Sequence, residues 1–127
     1  MASPSDRRFS DSHEWFSRDG DVITVGITKF AANELTDITY VELKPVGTEV
    51  SAGDSLGEVE SVKTTSDVLA AVGGEIIDVN ASVSDDPSLV NSDPFGAGWL
   101  VKIRSGDPSG LDALMDQPAY DEKHPTE

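Results

Sequence analysis

The chain has 127 residues, enough for one domain with a modest core, and its 11 glycines and 7 prolines favour a loop-rich β domain over a helical bundle. A formal charge of −15 argues against electrostatic binding of nucleic acid or anionic lipid, and no apolar run reaches bilayer length. There is no cysteine, so the polypeptide encodes no disulfide, thiolate metal site or cysteine nucleophile, and any redox sulfur must arrive on a prosthetic group.

Residues 1–11 are polar and lack an apolar stretch, which makes them a flexible leader and not a secretory signal, with a cytoplasmic location as the expectation. Strands are expected over 13–17 and 21–27, joined at Asp19-Gly20, a dipeptide suited to a tight hairpin. Thr28 can cap a short helix reaching Leu35, with Phe30, Ala31 and Leu35 on its apolar side. A β-rich stretch over 38–43 ends at the turn Pro45-Val46-Gly47. Strands follow over 46–50 and 54–62, with Ala52-Gly53 between them, and another over 65–72. Gly73-Gly74 breaks the chain before 75–79, whose Ile76-Ile77 pair is expected in the core.

The stretch 80–93 reads as a polar loop in which Pro87-Ser88-Leu89-Val90 makes one helical turn, and Asp93-Pro94 begins a further turn. Trp99, Val101 and Ile103 alternate with Leu100, Lys102 and Arg104, the pattern of a strand with one face in the core. Asp107-Pro108 reads as an N-cap with proline in the first helical position, and Leu111, Leu114 and Met115 share one side of a helix through Gln117. Pro118 stops that helix. The expected organisation is a leader at 1–11, one domain at 12–117 and a polar tail at 118–127. Many short strands between glycine and proline turns point to a barrel or sandwich.

Lys63 stands apart. No other basic residue lies between Lys44 and Lys102, while that span carries Glu49, Asp54, Glu58, Glu60, Asp67, Glu75, Asp78, Asp85, Asp86 and Asp93. One reading is a solvated counter-charge. The other starts from the β-branched and hydroxyl residues on both sides, which suit two short strands meeting at a turn with Lys63 at its tip. An amine on a flexible stem at a rigid turn is a good handle for acylation, which removes its charge and lengthens its reach.

Glu60-Ser61-Val62-Lys63 followed by Ser66-Asp67-Val68 resembles the lipoylation site of the glycine cleavage H-protein family. The resemblance extends through Ser12-His13-Glu14-Trp15, Val25-Gly26-Ile27-Thr28, Ala31, Leu35, Asp37 and Val41-Glu42-Leu43. It continues in Gly74-Glu75-Ile76, Val79-Asn80, Pro87, Leu89-Val90-Asn91, Asp93-Pro94-Phe95-Gly96 and Gly98-Trp99-Leu100. In order and spacing it covers roughly 12–103, which makes it far more specific than the lysine motif alone. Thr36, Lys44, Ala71 and Gly73 depart from the family pattern; Thr36 stands where glycine is common.

The resemblance implies a lipoyl-domain-like flattened β barrel/sandwich hybrid with short flanking helices. It implies that Lys63 carries lipoic acid in amide linkage, and that the chain is a non-catalytic, monomeric carrier with no metal site. Its implied partners are the pyridoxal-phosphate glycine decarboxylase, the folate-dependent aminomethyltransferase, dihydrolipoyl dehydrogenase and the lipoyl-attaching enzymes. Ser12, Glu14 and Asp67 match positions that line a cleft for the aminomethylated arm, where a hydroxyl and carboxylates suit a primary amine. The competing reading makes Ser12 a turn residue and the acids solvated charges. Glu58 and Glu60 either guide the lipoyl-attaching enzyme or face water.

A lone His13 is more often structural than catalytic, and Trp15 and Trp99 more often core than partner-binding. A biotin carrier or the lipoyl domain of another complex fits less well, because Val62 and Thr64 flank Lys63 instead of methionines and no acid directly precedes it. An unmodified acidic interaction module that keeps the fold is the alternative from another class.

Overall fold

The structure is a computed structural model that describes residues 8–10, 13–94, 96–105, 114 and 119–120. Its strands are β1 (Arg8–Phe9), β2 (Glu14–Asp19), β3 (Val22–Ile27), β4 (Ile38–Leu43), β5 (Glu49–Val50), β6 (Ser55–Ser61), β7 (Thr65–Leu69), β8 (Gly74–Val79) and β9 (Val101–Arg104). The helices are α1 (Lys29–Leu35), α2 (Ala81–Asp85) and α3 (Ser88–Ser92). Two antiparallel sheets, ordered β1-β2-β3-β9-β8-β5 and β4-β6-β7, share one core without closing into a barrel. The expected hybrid thus takes its sandwich form.

The β2–β3 hairpin turns where the sequence suggests, with Gly20 at φ 65° and Asp19 opposite Val22. Trp15 lies opposite Gly26 in the register. A Cβ on Gly26 would come within 2.6 Å of the indole ring, so the glycine is what lets the tryptophan lie flat across β3. Thr28 caps α1 as expected, its side chain accepting from the Ala31 N–H.

Two bulges interrupt the alternation of buried and exposed residues. In β6 the register shifts between Ser55 and Gly57, so Leu56 and Val59, three apart, are both buried. Gly57 is obligatory there, since a Cβ would lie 2.2 Å from the Glu42 carbonyl oxygen. In β8 the shift between Ile76 and Asp78 corrects the expectation for the isoleucine pair. Ile76 is fully buried, but Ile77, at the bulge, is only half-buried.

The core joins Ile23, Val25, Ile76, Val101 and Ile103 of the larger sheet to Val41, Leu56, Val59 and Val68 of the smaller. A second cluster of Phe9, Trp15 and Tyr120, with Trp99 packed against it, lies beside the first. Trp15 is therefore buried, and its indole N–H donates to the Pro94 carbonyl at 2.8 Å. Trp99 is half-buried, with Lys102 Nζ 5.0 Å from its ring centroid.

Part of the stretch read as a polar loop over 80–93 is helical. Asn80 accepts from the Ser82 N–H and starts α2, while its amide donates to the carbonyls of Ala97 and Trp99. Arg8 and Phe9, read as flexible leader, form β1 against β2, and Tyr120, read as polar tail, is buried. Ser12 and most of the helix expected over 107–117 lie outside the described residues.

Candidate functional site

Lys63 stands at the apex of the β6–β7 hairpin, in the middle of a loop of three residues, Val62, Lys63 and Thr64. Val62 is 68% exposed and Lys63 is exposed, so nothing packs over the tip. The turn is held by its ends. Ser61 N–H donates to the Thr64 carbonyl at 2.8 Å, and Val62 N–H donates to the Asp37 carbonyl at 3.2 Å. The second bond ties the tip to the junction between α1 and β4.

That junction is itself anchored from α3. Asn91 Oδ1 accepts from the Ile38 N–H, and its amide donates to the carbonyls of Ala32 and Thr36. Lys63 Nζ donates to the Glu34 carbonyl at 3.1 Å, at the C-terminal end of α1. A helix leaves its last carbonyls without internal partners, and a cation is favoured there by the dipole. The amine rests on α1 yet stays in water.

The expected site residues fall into two groups. Register places Glu42, Glu58 and Asp67 in one row across β4, β6 and β7, with Tyr40, Glu60 and Thr65 in the next. Residues opposite one another share a face of the sheet, so Asp67, Glu58 and Glu60 lie on one outward surface beside the tip. Asp67 and Glu58 are exposed and Glu60 half-buried. Asp67 is separated from Lys63 by no more than about 14 Å of extended chain. Tyr40, 47% exposed on this face, has its phenol raised above the ordinary 10.0, chiefly by the Glu42 carboxylate and then by burial, their hydrogen bond and Glu60.

Glu14 belongs elsewhere. It is 1% exposed, which removes the reading of a solvated charge. Its carboxylate accepts from the Ser10 hydroxyl and from the Leu69 N–H at 3.3 Å, so it reaches from the larger sheet to the edge of β7 left open by β6. Glu14 and Asp67 thus approach the same strand two residues apart. Ser12, expected with them, lies outside the described residues.

His13 is structural in its contacts: Nδ1 lies 2.9 Å from the Tyr120 hydroxyl, and its ring is 4.7 Å from that of Phe30. No group of three or more metal-ligating side chains is gathered among the described residues. No described helix is long and apolar enough to cross a membrane.

A family model described as "Glycine cleavage H-protein" matches residues 7–127. The chain belongs to the glycine cleavage H-protein family. It is 50% identical over 118 residues to the glycine cleavage system H protein of Parvibaculum lavamentivorans, covering 93% of this chain and 94% of that one. With the H protein of Chlorobium limicola it shares 51% over 124 residues, 96% of this chain and 97% of the relative. The crystal structure of a glycine cleavage system H protein from Mycobacterium marinum superposes with a TM-score of 0.87 at 39% identity, covering 95% of this chain and 98% of that chain.

Membership in the H-protein family makes the chain a carrier of the glycine cleavage system. The contacts of the turn point to a residue that the sequence reading passes over. Ser61 was read only as part of a motif, although a hydroxyl two residues before an exposed turn residue is a recognisable turn-forming signal. The contact between Lys63 and Glu34 joins positions 29 apart and has no such signal.

Proposed function

We propose that Lys63 carries lipoate in amide linkage and that the chain shuttles the aminomethyl group of glycine through the glycine cleavage system. The observation that carries this reading is an exposed lysine amine at the apex of a braced three-residue hairpin loop in a chain of this family. Its donor is the pyridoxal-phosphate glycine decarboxylase, its acceptor the folate-dependent aminomethyltransferase, and dihydrolipoyl dehydrogenase reoxidises it. When bound, the lipoyl group supplies a dithiolane that accepts the one-carbon unit and is left as a dithiol. The protein supplies no active site of its own.

What the chain contributes is reach and concentration. A tethered group meets each enzyme at a high effective concentration, provided its base is firm and its arm free. Attachment requires Nζ to leave the Glu34 carbonyl and lose a proton to solvent. Its lone pair then attacks the acyl carbon of an activated lipoate. The amide C–N bond forms as the acyl–oxygen bond breaks, the electron pair departs with the leaving group, and the nitrogen gives up its second proton to solvent. No redox change occurs.

Glu58 and Glu60, beside the tip, are assigned to recognition by the lipoyl-attaching enzyme. Ser12, Glu14 and Asp67 are assigned to the cleft that receives the loaded arm, the carboxylates pairing with its primary amine. The fold from β1 to Tyr120 is read as a single carrier domain, monomeric and cytoplasmic.

The test is peptide mass mapping of Lys63 in protein from its native source, with glycine–bicarbonate exchange measured for Lys63→Arg. Arginine keeps the positive charge but is effectively always protonated, so it is not acylated. A lipoyl increment on the Lys63 peptide and exchange at background in the variant are expected. A bare Lys63 peptide, or exchange retained in Lys63→Arg, sinks the assignment, and a bare peptide leaves an acidic interaction module on this fold.

A further inference from the structure

Four consecutive backbone N–H groups make the turn that bears Lys63, and every one has a partner. Those of Ser61 and Val62 go to the carbonyls of Thr64 and Asp37. Those of Lys63 and Thr64 both go to the Ser61 hydroxyl oxygen, each at 3.1 Å. The same hydroxyl donates to the Thr64 carbonyl at 3.1 Å. One oxygen, a single bond from Cβ, therefore closes the turn from inside, as a serine at the first position of a turn is built to do.

The two backbone bonds at Ser61 and Val62 remain without that hydroxyl, but neither reaches the N–H groups of Lys63 and Thr64. Val62, Lys63 and Thr64 are exposed, so no packing fixes the turn, and a three-residue loop with neither glycine nor asparagine lacks the usual hairpin chemistry. Without the hydroxyl, the N–H groups of Lys63 and Thr64 would turn to water. The direction in which the lysine stem leaves the hairpin would then vary.

We propose that Ser61 is a positioning residue for acylation of Lys63, holding the turn so that Nζ leaves the tip in one direction. The inference rests on the lipoyl reading of Lys63. Ser61 touches neither the amine nor the acyl donor; it acts through the backbone of Lys63 and Thr64. A turn ordered beforehand spares the attaching enzyme the entropy of ordering it, which favours the step in which the amine must meet the acyl carbon.

The test uses the full chain with lipoate, ATP and a lipoate–protein ligase, following intact mass over time. Ser61→Ala is expected to lower kcat by about fivefold to tenfold, the equivalent of one or two ordinary hydrogen bonds, with KM little changed because the acidic face is intact. Ser61→Thr, which keeps the hydroxyl, is expected to recover to within about twofold of the parent. Amide hydrogen exchange supplies a readout independent of the ligase: Lys63 and Thr64 should exchange about tenfold faster in Ser61→Ala, with Val59 in β6 unchanged. If Val59 is also deprotected, Ser61→Cys replaces the alanine variant with the same expectations.

Parental kcat in Ser61→Ala, parental exchange at its two turn amides, or no recovery in Ser61→Thr would each overturn the proposal. Failure of the parent chain itself to accept lipoate at Lys63 would instead defeat the lipoyl reading, and amide exchange would still report whether Ser61 orders the turn.

Discussion

Thr36 follows α1 at φ 63° and ψ −132°, a backbone conformation that a β-branched residue rarely adopts. Such strain costs of order 1–3 kcal/mol, and the Thr36 hydroxyl bond to the Leu35 carbonyl offsets only part of it. Glycine would relieve the strain but lose about 0.5–1 kcal/mol through a freer unfolded chain. The balance favours Thr36→Gly by about 1 kcal/mol, seen as a higher urea midpoint at unchanged slope. An unchanged or lower midpoint would show that the surroundings already accommodate threonine. Only the backbone reveals why glycine suits the position. Glu14 makes the opposite point, because a carboxylate at the first position of β2 gives no hint in the sequence that it will end fully buried on the edge of β7.

At the scale of elements, the outer face of β4, β6 and β7 gathers acids that are dispersed in the sequence. The Tyr40 hydroxyl lies 3.4 Å from Glu42 Oε2, and the nearby carboxylates disfavour a second anion, so its phenol keeps its proton to higher pH than usual. A folded-state value above the unfolded one means that this group's share of stability is complete below about pH 10 and declines as pH rises through the raised value. Glu42→Gln is expected to move Tyr40 ionisation back towards its ordinary position. Phenolate absorbance, with Tyr40→Phe as the blank for Tyr120, measures it, and an unmoved titration would rule out Glu42 as the main cause.

Elements governed by neighbours in sequence were legible: β4 at Ile38–Leu43, the Thr28 cap of α1 and the turn at Gly20 all follow from local chemistry. The helix α2 was not, since five residues are too few to display a helical period, although Asn80 is a cap in plain sight. The bulges at Gly57 and Ile77 were not legible, because a bulge is a relation between two strands.

Across the whole molecule, the two ends of the described chain meet. Tyr120 stacks on Phe9 with ring centroids 4.8 Å apart, and its hydroxyl lies 2.7 Å from Thr28 Oγ1 and 2.9 Å from His13 Nδ1. Thr28 is the cap of α1, and α1 supplies the carbonyl on which the Lys63 amine rests. Tyr120→Ala should therefore cost about 3–5 kcal/mol, while Tyr120→Phe, which keeps the ring, should cost about 1–2 kcal/mol. Denaturant unfolding of both variants tests this, and equal costs would mean that the ring contributes little.

By itself the sequence determined the class of the fold, the hairpin with Lys63 at its apex and the family to which the chain belongs, because short-range turn chemistry, alternation and a long ordered set of motifs are properties of neighbours in the chain. Tertiary structure alone decided that Glu14 is buried on β7, that Asp67 stands in line with Glu58, that Lys63 rests on α1 and that Phe9 closes over Tyr120. Each of these joins residues of different elements, and which side chains meet is set by strand register, bulges and packing between the sheets, none of which a local pattern encodes.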